Sequence, residues 1–260
     1  MIKEIYYFGS FNPFHEGHKM VALCVSSHFY NCKVHITPSP CSPFKKKKDM
    51  LPIEDRIEII KSMLDGCGIL DLSMLDVSTI DAEVGNGKEQ HYSYETLEVI
   101  KSQYKGDSKE IGFLVGSDTL AMFDKWKNWE WIMDNFTVIV YPRIGDNIDE
   151  LLFKYPQAIL GTPYYNQGNM EFPPQFGNLQ RTEISDELFE KLKKEGIYER
   201  ATETMCVSPL PYIYFEYSST QIREMLKNFD ENYKVLNTMY SDKTLKILEH
   251  LYKNKNEHEQ

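Results

Sequence analysis

Residues 5–18, Ile5-Tyr6-Tyr7-Phe8-Gly9-Ser10-Phe11-Asn12-Pro13-Phe14-His15-Glu16-Gly17-His18, constrain this chain more than any other stretch. They open as a short aromatic-rich apolar run, the pattern of a buried strand. Gly9 to Pro13 then supply turn residues. From Glu16 an apolar face carrying Met20, Val21, Cys24 and Val25 predicts a helix. Strand, tight turn and helix together offer backbone N–H groups and the positive end of a helix dipole to an anion. His15 and His18 stand three apart in that first turn, so both imidazoles lean toward one point and suit a phosphate. The bland alternative is one packed and one solvated histidine. The Gly-x-x-x-Pro-x-His-x-x-His context outweighs it.

Strand and helix patterns alternate along the rest of the chain. Residues 33–37 read as a strand, and the three prolines in 38–43 make the next segment a loop. Lys45, Lys46, Lys47 and Lys48 follow; four loop lysines are ordinarily a solvated run, but these lie beyond a strand's C-terminal end, where open α/β sheets bind ligands. A helix is predicted over 52–64, stopped by Gly66 and Gly68, and a strand over 70–77. The turn Gly85-Asn86-Gly87-Lys88 is too short for a P-loop. Ser93 is placed to cap the helix that follows it. Residues 111–115 form the clearest buried strand, and Gly116, Ser117 and Asp118 lead into a predicted helix with Leu120, Met122, Phe123 and Trp126 among its apolar positions. Asp118 as a cap and Trp126 as core packing are the structural readings of those two residues. Residues 136–141 are a strand that ends in Pro142-Arg143. From 146 to 205 the period is lost, which reads as an insertion with a short helix near 186–194. Residues 212–216 return as a strand; Ser218 and Gln221 have capping-box spacing, and two helices over about 220–236 and 241–253 close the fold. Such alternation predicts a parallel, doubly wound α/β sheet.

The segment Gly9–His18 resembles the histidine signature of the nucleotidylyltransferase superfamily, in the form found in nicotinamide and nicotinate mononucleotide adenylyltransferases. Further matches follow in order: Tyr92-Ser93-x-Glu95-Thr96-Leu97, with Ser and Glu where that family has Thr and Asp; Gly116-Ser117-Asp118-Thr119-Leu120 with Trp126; Arg143-x-Gly145; and Ser218-Ser219-Thr220-x-Ile222-Arg223, with Tyr217 where Ile is usual. The resemblance implies a Rossmann-like nucleotidylyltransferase fold built from residues 1–145 and 206–260, with 146–205 as an inserted lobe. It implies an enzyme that joins ATP to nicotinamide or nicotinate mononucleotide, giving NAD or its deamido form and pyrophosphate. His15, His18, Lys46 and Arg223 then take the catalytic roles. ATP falls to Gly9, Ser10, Phe11, His15, His18, Lys47, Gly116, Asp118, Ser218, Ser219, Thr220 and Arg223. The mononucleotide falls to Ser10, Phe11, Tyr92, Ser93, Thr96, Asp118, Trp126 and Arg143. A phosphate contact is carried over to Arg56 as well. Mg²⁺ is the implied cofactor, bound with ATP and holding few protein ligands.

Composition bounds the partners. A net charge of −10 argues against a broad nucleic-acid surface, though a small anion needs only a local basic pocket. Five cysteines, at 24, 32, 41, 67 and 206, are odd in number and lack C-x-x-C spacing, which argues against a disulfide framework or a zinc site. Residues 1–4 run straight into a strand and no apolar run reaches membrane length, so a soluble cytoplasmic protein is expected. Acid against amide, and whether the chain forms a homo-oligomer, stay open. Two other readings are an adenylyltransferase for another phosphorylated cofactor precursor, such as phosphopantetheine, and a nucleotide-binding regulator without turnover.

Overall fold

In the computed structural model, which describes residues 2–29, 32–40, 50–65, 73–88, 90–141, 148–160 and 218–258, the strands are Glu4–Gly9 (β1), Lys33–Pro38 (β2), Leu75–Val77 (β3), Ile111–Gly116 (β4), Thr137–Tyr141 (β5) and Ile159–Leu160 (β6). They lie in the order β3-β2-β1-β4-β5-β6, the order of a doubly wound sheet whose direction of winding reverses at β1. β1 pairs parallel with β4, Glu4 standing opposite Ile111 and Tyr7 opposite Leu114. β4 pairs parallel with β5 and β5 with β6. The expected Rossmann-like sheet is therefore present. β6 extends that sheet from within the stretch whose period is lost in the sequence, and the helix Ile148–Lys154 precedes it there. The predicted helix near 186–194 and strand 212–216 lie outside the described residues.

The remaining helices are Glu16–His28 (α1), Ile53–Leu64 (α2), Ile80–Val84 (α3), Ser93–Gln103 (α4), Ser117–Leu120 (α5), Trp129–Asn135 (α6), Ile148–Lys154 (α7), Ser219–Lys227 (α8), Phe229–Met239 (α9) and Asp242–His258 (α10). α2 carries Glu54 and Asp55 in its first turn and Lys61 in its last, charges that suit the helix dipole at both ends. Two predicted helices break where the periodicity ran on. After β4, α5 stops at Leu120 and a 3₁₀ turn covers Phe123–Lys125. Phe123 packs edge-on against Tyr155, whose hydroxyl accepts from the Asp124 backbone N–H at 3.1 Å. Asn128 then takes a left-handed conformation (φ 56°), which no helix continues through. The first closing helix likewise breaks at Asn228. There Asn232 Nδ2 donates to the carbonyls of Met225 (3.2 Å) and Asn228 (2.9 Å), satisfying a helix end that would otherwise lack partners.

The chain divides into two compact units. One comprises Met1–Tyr7, Cys24–Val34 and Leu97–Ile213. Its core is β4 and β5, in which Phe113, Leu114, Ile139 and Val140 are fully buried, as parallel strands covered on both faces must be. Gly112 interrupts this apolar run because a Cβ there would lie 2.5 Å from Ile139 Cδ1 and 3.0 Å from Ile5 Cγ1. In the same unit Lys109 Nζ donates to the carbonyls of Met133 (2.6 Å) and Phe136 (3.2 Å), stapling the C-terminus of α6. The other unit comprises Phe8–Leu23, His35–Thr96 and Tyr214–Gln260. There α2, α8, α9 and α10 pack around Ile60, Ile222, Leu236 and Leu248, and the buried hydroxyls of Ser62 and Thr244 meet at 2.9 Å. Among the described residues no helix is long and apolar enough to cross a membrane. Cys24 and Cys32 are buried free thiols whose pKa burial pushes up to about 11.

The α6 staple is testable. Lys109→Met keeps the aliphatic stem and removes both donors, so it should lower the unfolding free energy by about 1–3 kcal/mol. Urea denaturation followed by circular dichroism reads this directly, and an unchanged midpoint would rule the staple out.

Candidate active site

The loop after β1 is shaped from both ends by Phe11. Its backbone is left-handed (φ 43°), an uncommon conformation for a bulky side chain. The ring is 3 % exposed and lies over Gly9, where a Cβ would come within 2.7 Å of it. Glycine is required at 9 for that close approach. The Phe11 ring then meets Phe14 edge-on at 5.4 Å and His18 edge-on at 5.1 Å. His18 stacks on Phe14 with an interplanar angle of 20°. The two apolar rings thus fix the imidazole of His18, and His15 lies 3.8 Å from it, centroid to centroid. Both histidines open α1: the His15 carbonyl accepts from the backbone N–H of His18 (2.9 Å) and of Lys19 (3.2 Å).

Side-chain and backbone donors hold the loop's carbonyls one by one. Ser39 N donates to Gly9 O at 2.9 Å. Arg56 Nη1 donates to Ser10 O at 2.6 Å, Arg223 Nη1 to Asn12 O at 2.7 Å, Ser219 Oγ to Pro13 O at 3.3 Å and Tyr240 Oη to Phe14 O at 3.1 Å. Asn12 Oδ1 in turn accepts from Leu51 N at 3.0 Å. In a planar trans peptide the N–H points opposite to the C=O, so the fixed carbonyls of Gly9, Ser10, Pro13 and Phe14 also fix the direction of the N–H beside them; the Asn12 carbonyl has no such N–H, because Pro13 follows it. Burial raises the Tyr240 pKa well above its ordinary value, aided by nearby Tyr252 and Glu16, which keeps the hydroxyl a donor.

Arg223 sits in the first turns of α8. Its Nη2 donates to Thr220 Oγ1 at 2.9 Å while Nη1 holds Asn12 O. The expected capping box is present: Ser218 accepts from Gln221 N, and Gln221 Oε1 accepts from Ser218 N at 2.8 Å. Ser218, Ser219, Thr220 and Arg223 therefore come together with Ser10, Asn12, His15 and His18 in one unit.

Arg56 departs from the role that resemblance gave it. It is 1 % exposed, and Nε donates to Leu51 O (3.0 Å), Nη1 to Ser10 O and to Ser39 O (2.8 Å), and Nη2 to Pro40 O (3.3 Å). A guanidinium with four backbone acceptors is a clamp on its own protein, not a hand held out to a phosphate. Thr96 also faces inward: it is fully buried and its hydroxyl donates to Asp81 Oδ1 at 2.6 Å. Sequence reasoning missed its partners Asp81 and His91, which belong to no motif.

The other candidates stand as follows. Tyr92 is partly exposed, its hydroxyl donating to Gln90 Oε1 at 2.9 Å, and Ser93 begins α4. In the other unit, Gly116 ends β4, and Asp118 is exposed with its carboxylate accepting from Thr119 N at 2.9 Å. Trp126 is half-buried against Phe113 (6.2 Å) and Phe123 (5.4 Å). Lys45–Lys48, with Lys46 and Lys47 among them, and Arg143 lie outside the described residues. Among the described residues no group of three or more His, Cys, Asp or Glu is arranged to hold a metal.

Several known proteins are similar to this chain. A protein of Flavobacterium johnsoniae named "Probable nicotinate-nucleotide adenylyltransferase" is 28% identical over 148 residues, 57% of this chain and 72% of that protein. A structure of Plasmodium falciparum nicotinic acid mononucleotide adenylyltransferase complexed with NaAD superposes with a TM-score of 0.64 at 16% identity, over 95% of each chain. Another, of the same enzyme complexed with APC, gives 0.51 at 18% identity, over 76% of this chain and 98% of that one. These likenesses establish the fold. The family model described as cytidylyltransferase-like matches residues 6–225, which takes in the imidazole pair, its pinned loop and Arg223; the chain belongs to that family.

Proposed function

We propose that this protein is an adenylyltransferase that joins ATP to nicotinate or nicotinamide mononucleotide, releasing pyrophosphate. The observation that carries the reading is the His15–His18 pair, 3.8 Å apart at the start of α1, in one unit with Arg223 at the start of α8. The name of the Flavobacterium relative favours the nicotinate form.

In this reaction an oxygen of the mononucleotide phosphate attacks the α-phosphorus of ATP. The bond from that phosphorus to the β-bridging oxygen breaks, and pyrophosphate leaves with the electron pair. No side chain forms a covalent bond, so catalysis rests on positioning and on donors aimed where charge builds. His15 and His18 donate to the α-phosphate oxygens. A bound anion also offsets the repulsion that two protonated rings at this spacing would feel. Among the described residues two of the five N–H donors of Arg223 are committed, to Asn12 O and Thr220 Oγ1, and they set its plane toward the β- and γ-phosphates. Ser218, Ser219, Thr220 and one of Lys45–Lys48 share that load. Gly9, Gly116 and Phe11, whose ring is buried, act on the nucleotides through their backbone, and Ser10 serves beside them. Tyr92, Ser93, Asp118, Trp126 and Arg143 serve the mononucleotide. The donor set around the loop is imidazole, hydroxyl and guanidinium, which fits Mg²⁺ carried on the triphosphate, where it would offset charge on the leaving pyrophosphate.

A pyrophosphate-release assay with nicotinate mononucleotide, nicotinamide mononucleotide and phosphopantetheine tests the reading. Turnover of a pyridine mononucleotide is expected, fastest with the acid. Release with phosphopantetheine alone, or with none of the three, would refute it. His18→Ala should lower kcat by roughly 10²–10³-fold, the effect of losing one preorganised donor, while the circular dichroism melt stays sharp. Arg223→Lys should raise the Kd for ATP by roughly tenfold or more, since one ammonium cannot hold Asn12 O, Thr220 Oγ1 and a phosphate together. Calorimetry showing unchanged ATP binding would remove Arg223 from the triphosphate site.

A further inference from the structure

Behind Tyr92 and Ser93 lies a buried polar cluster with no part in the scheme above. His91 is 3 % exposed, Asp81 1 % and Thr96 0 %. His91 Nδ1 lies 2.9 Å from Glu95 Oε2, and Nε2 lies 2.8 Å from Asp81 Oδ1 and 2.9 Å from Thr96 Oγ1. The Thr96 hydroxyl donates its own hydrogen bond to Asp81 Oδ1. Lys88 Nζ meets the same Glu95 oxygen at 2.9 Å. We propose that His91 is a positioning residue, a buried imidazolium that holds the Tyr92–Ser93 segment in the shape that receives the pyridine mononucleotide. The proposal rests on the adenylyltransferase reading.

The geometry carries the argument. A carboxylate only accepts hydrogen bonds, and each ring nitrogen of His91 faces one, so each must bear a hydrogen. A neutral ring supplies only one N–H and would leave a nitrogen lone pair against a carboxylate oxygen. The charged and titratable groups facing the ring are Asp81 from α3, Glu95 from α4 and, through Glu95, Lys88 from the turn. With His91 protonated the two carboxylates are matched by two cations. Without that proton the cluster holds an uncompensated negative charge, which is costly where Asp81 is buried. Burial alone lowers the His91 pKa, but the hydrogen bonds and charges of Asp81 and then Glu95 outweigh it, and the net shift is upward from 6.5.

The cluster also reaches the phosphate loop. Gly85 lies flat between His91 and Pro40: a Cβ there would come within 2.9 Å of His91 Cγ and 2.6 Å of Pro40 Cγ. Pro40 O is one acceptor of Arg56, which also holds Ser10 O. On the other side Glu95 N donates to Tyr92 O at 3.0 Å, tying the start of α4 to the segment His91 precedes. His91 therefore braces Tyr92 and Ser93 against the same framework that carries the imidazole pair. Because its folded pKa is raised, the stability it supplies is complete below 6.5 and is lost as pH rises through the folded value. The mononucleotide segment should loosen in that same window, while the ATP side, pinned by Arg56 and Arg223, should not.

The experiment compares wild type, Asp81→Asn and Glu95→Gln. Imidazole ¹⁵N NMR of the ligand-free proteins reads the ring, and steady-state kinetics from pH 6 to about 9.5 read each substrate. Wild-type His91 is expected to carry hydrogens on both nitrogens at neutral pH. Its KM for nicotinate mononucleotide should rise along an alkaline limb that the ATP KM lacks. Asp81→Asn keeps the shape and removes the counter-charge, so it should move that limb down by roughly 1–3 pH units. Glu95→Gln, whose side chain is 23% exposed, should fold even if Asp81→Asn does not, and should move it the same way by less. A singly protonated wild-type ring, a limb unmoved in both variants, or equal changes in both substrates' KM would overturn the proposal. Wild-type protein that turns over neither mononucleotide would defeat the proposed function and this role together; active protein with an unmoved limb would defeat this role alone.

Discussion

The interaction on which the site depends is the burial of the Arg56 guanidinium. Removing an unpaired charge from water costs far more than a folded domain can spare, so a cation this deep must be met by acceptors on several sides. The chain meets it with backbone oxygens from three separate segments: Ser10 after β1, Ser39 and Pro40 after β2, and Leu51 before α2. A planar fork of fixed N–H directions tolerates little variation in where those oxygens lie. The ends of two strands and the entry to a helix are thereby held in one arrangement. The loop bearing His15 and His18 hangs from it.

Around that clamp the protein uses side chains to hold backbone. Arg56, Arg223, Ser219 and Tyr240 each take a carbonyl of the loop between β1 and α1, and Asn12 reaches back to Leu51. The aromatic rings of Phe11 and Phe14 fix the orientation of His18. Arg223 holds the loop through Asn12 O and keeps further N–H donors, so under the proposed function loop shape and triphosphate binding would be coupled through it. This arrangement suits a reaction in which the enzyme contributes position and charge and forms no bond to substrate.

Much of this was legible in the sequence, for physical reasons. Parallel strands buried on both faces read as unbroken apolar runs, and β4 and β5 did. The capping box of Ser218 and Gln221 is a local device with fixed spacing, and it formed as read. Helix extent was less legible. The turn at Phe123–Lys125 is set by packing against Tyr155, and Asn228 breaks the closing helices through side-chain bonds from Asn232, neither of which leaves a mark on periodicity. The role of Arg56 was misread because helix position alone does not say whether an arginine points at solvent or at carbonyls. The Asp81–His91–Thr96 cluster was invisible because its members come from a short helix, a loop and a second helix.

The most direct measurement is the behaviour of Arg56→Lys, which separates a backbone clamp from a phosphate ligand. Lysine offers a point charge in place of a fork, and it cannot reach Leu51 O, Ser10 O, Ser39 O and Pro40 O together. If Arg56 is the clamp, thermal denaturation should shift down by several degrees, corresponding to about 1–3 kcal/mol of lost hydrogen bonding. kcat should fall while the calorimetric affinities for ATP and mononucleotide weaken together. An unchanged melting temperature with a selective loss of ATP affinity would contradict this account and put Arg56 on the triphosphate.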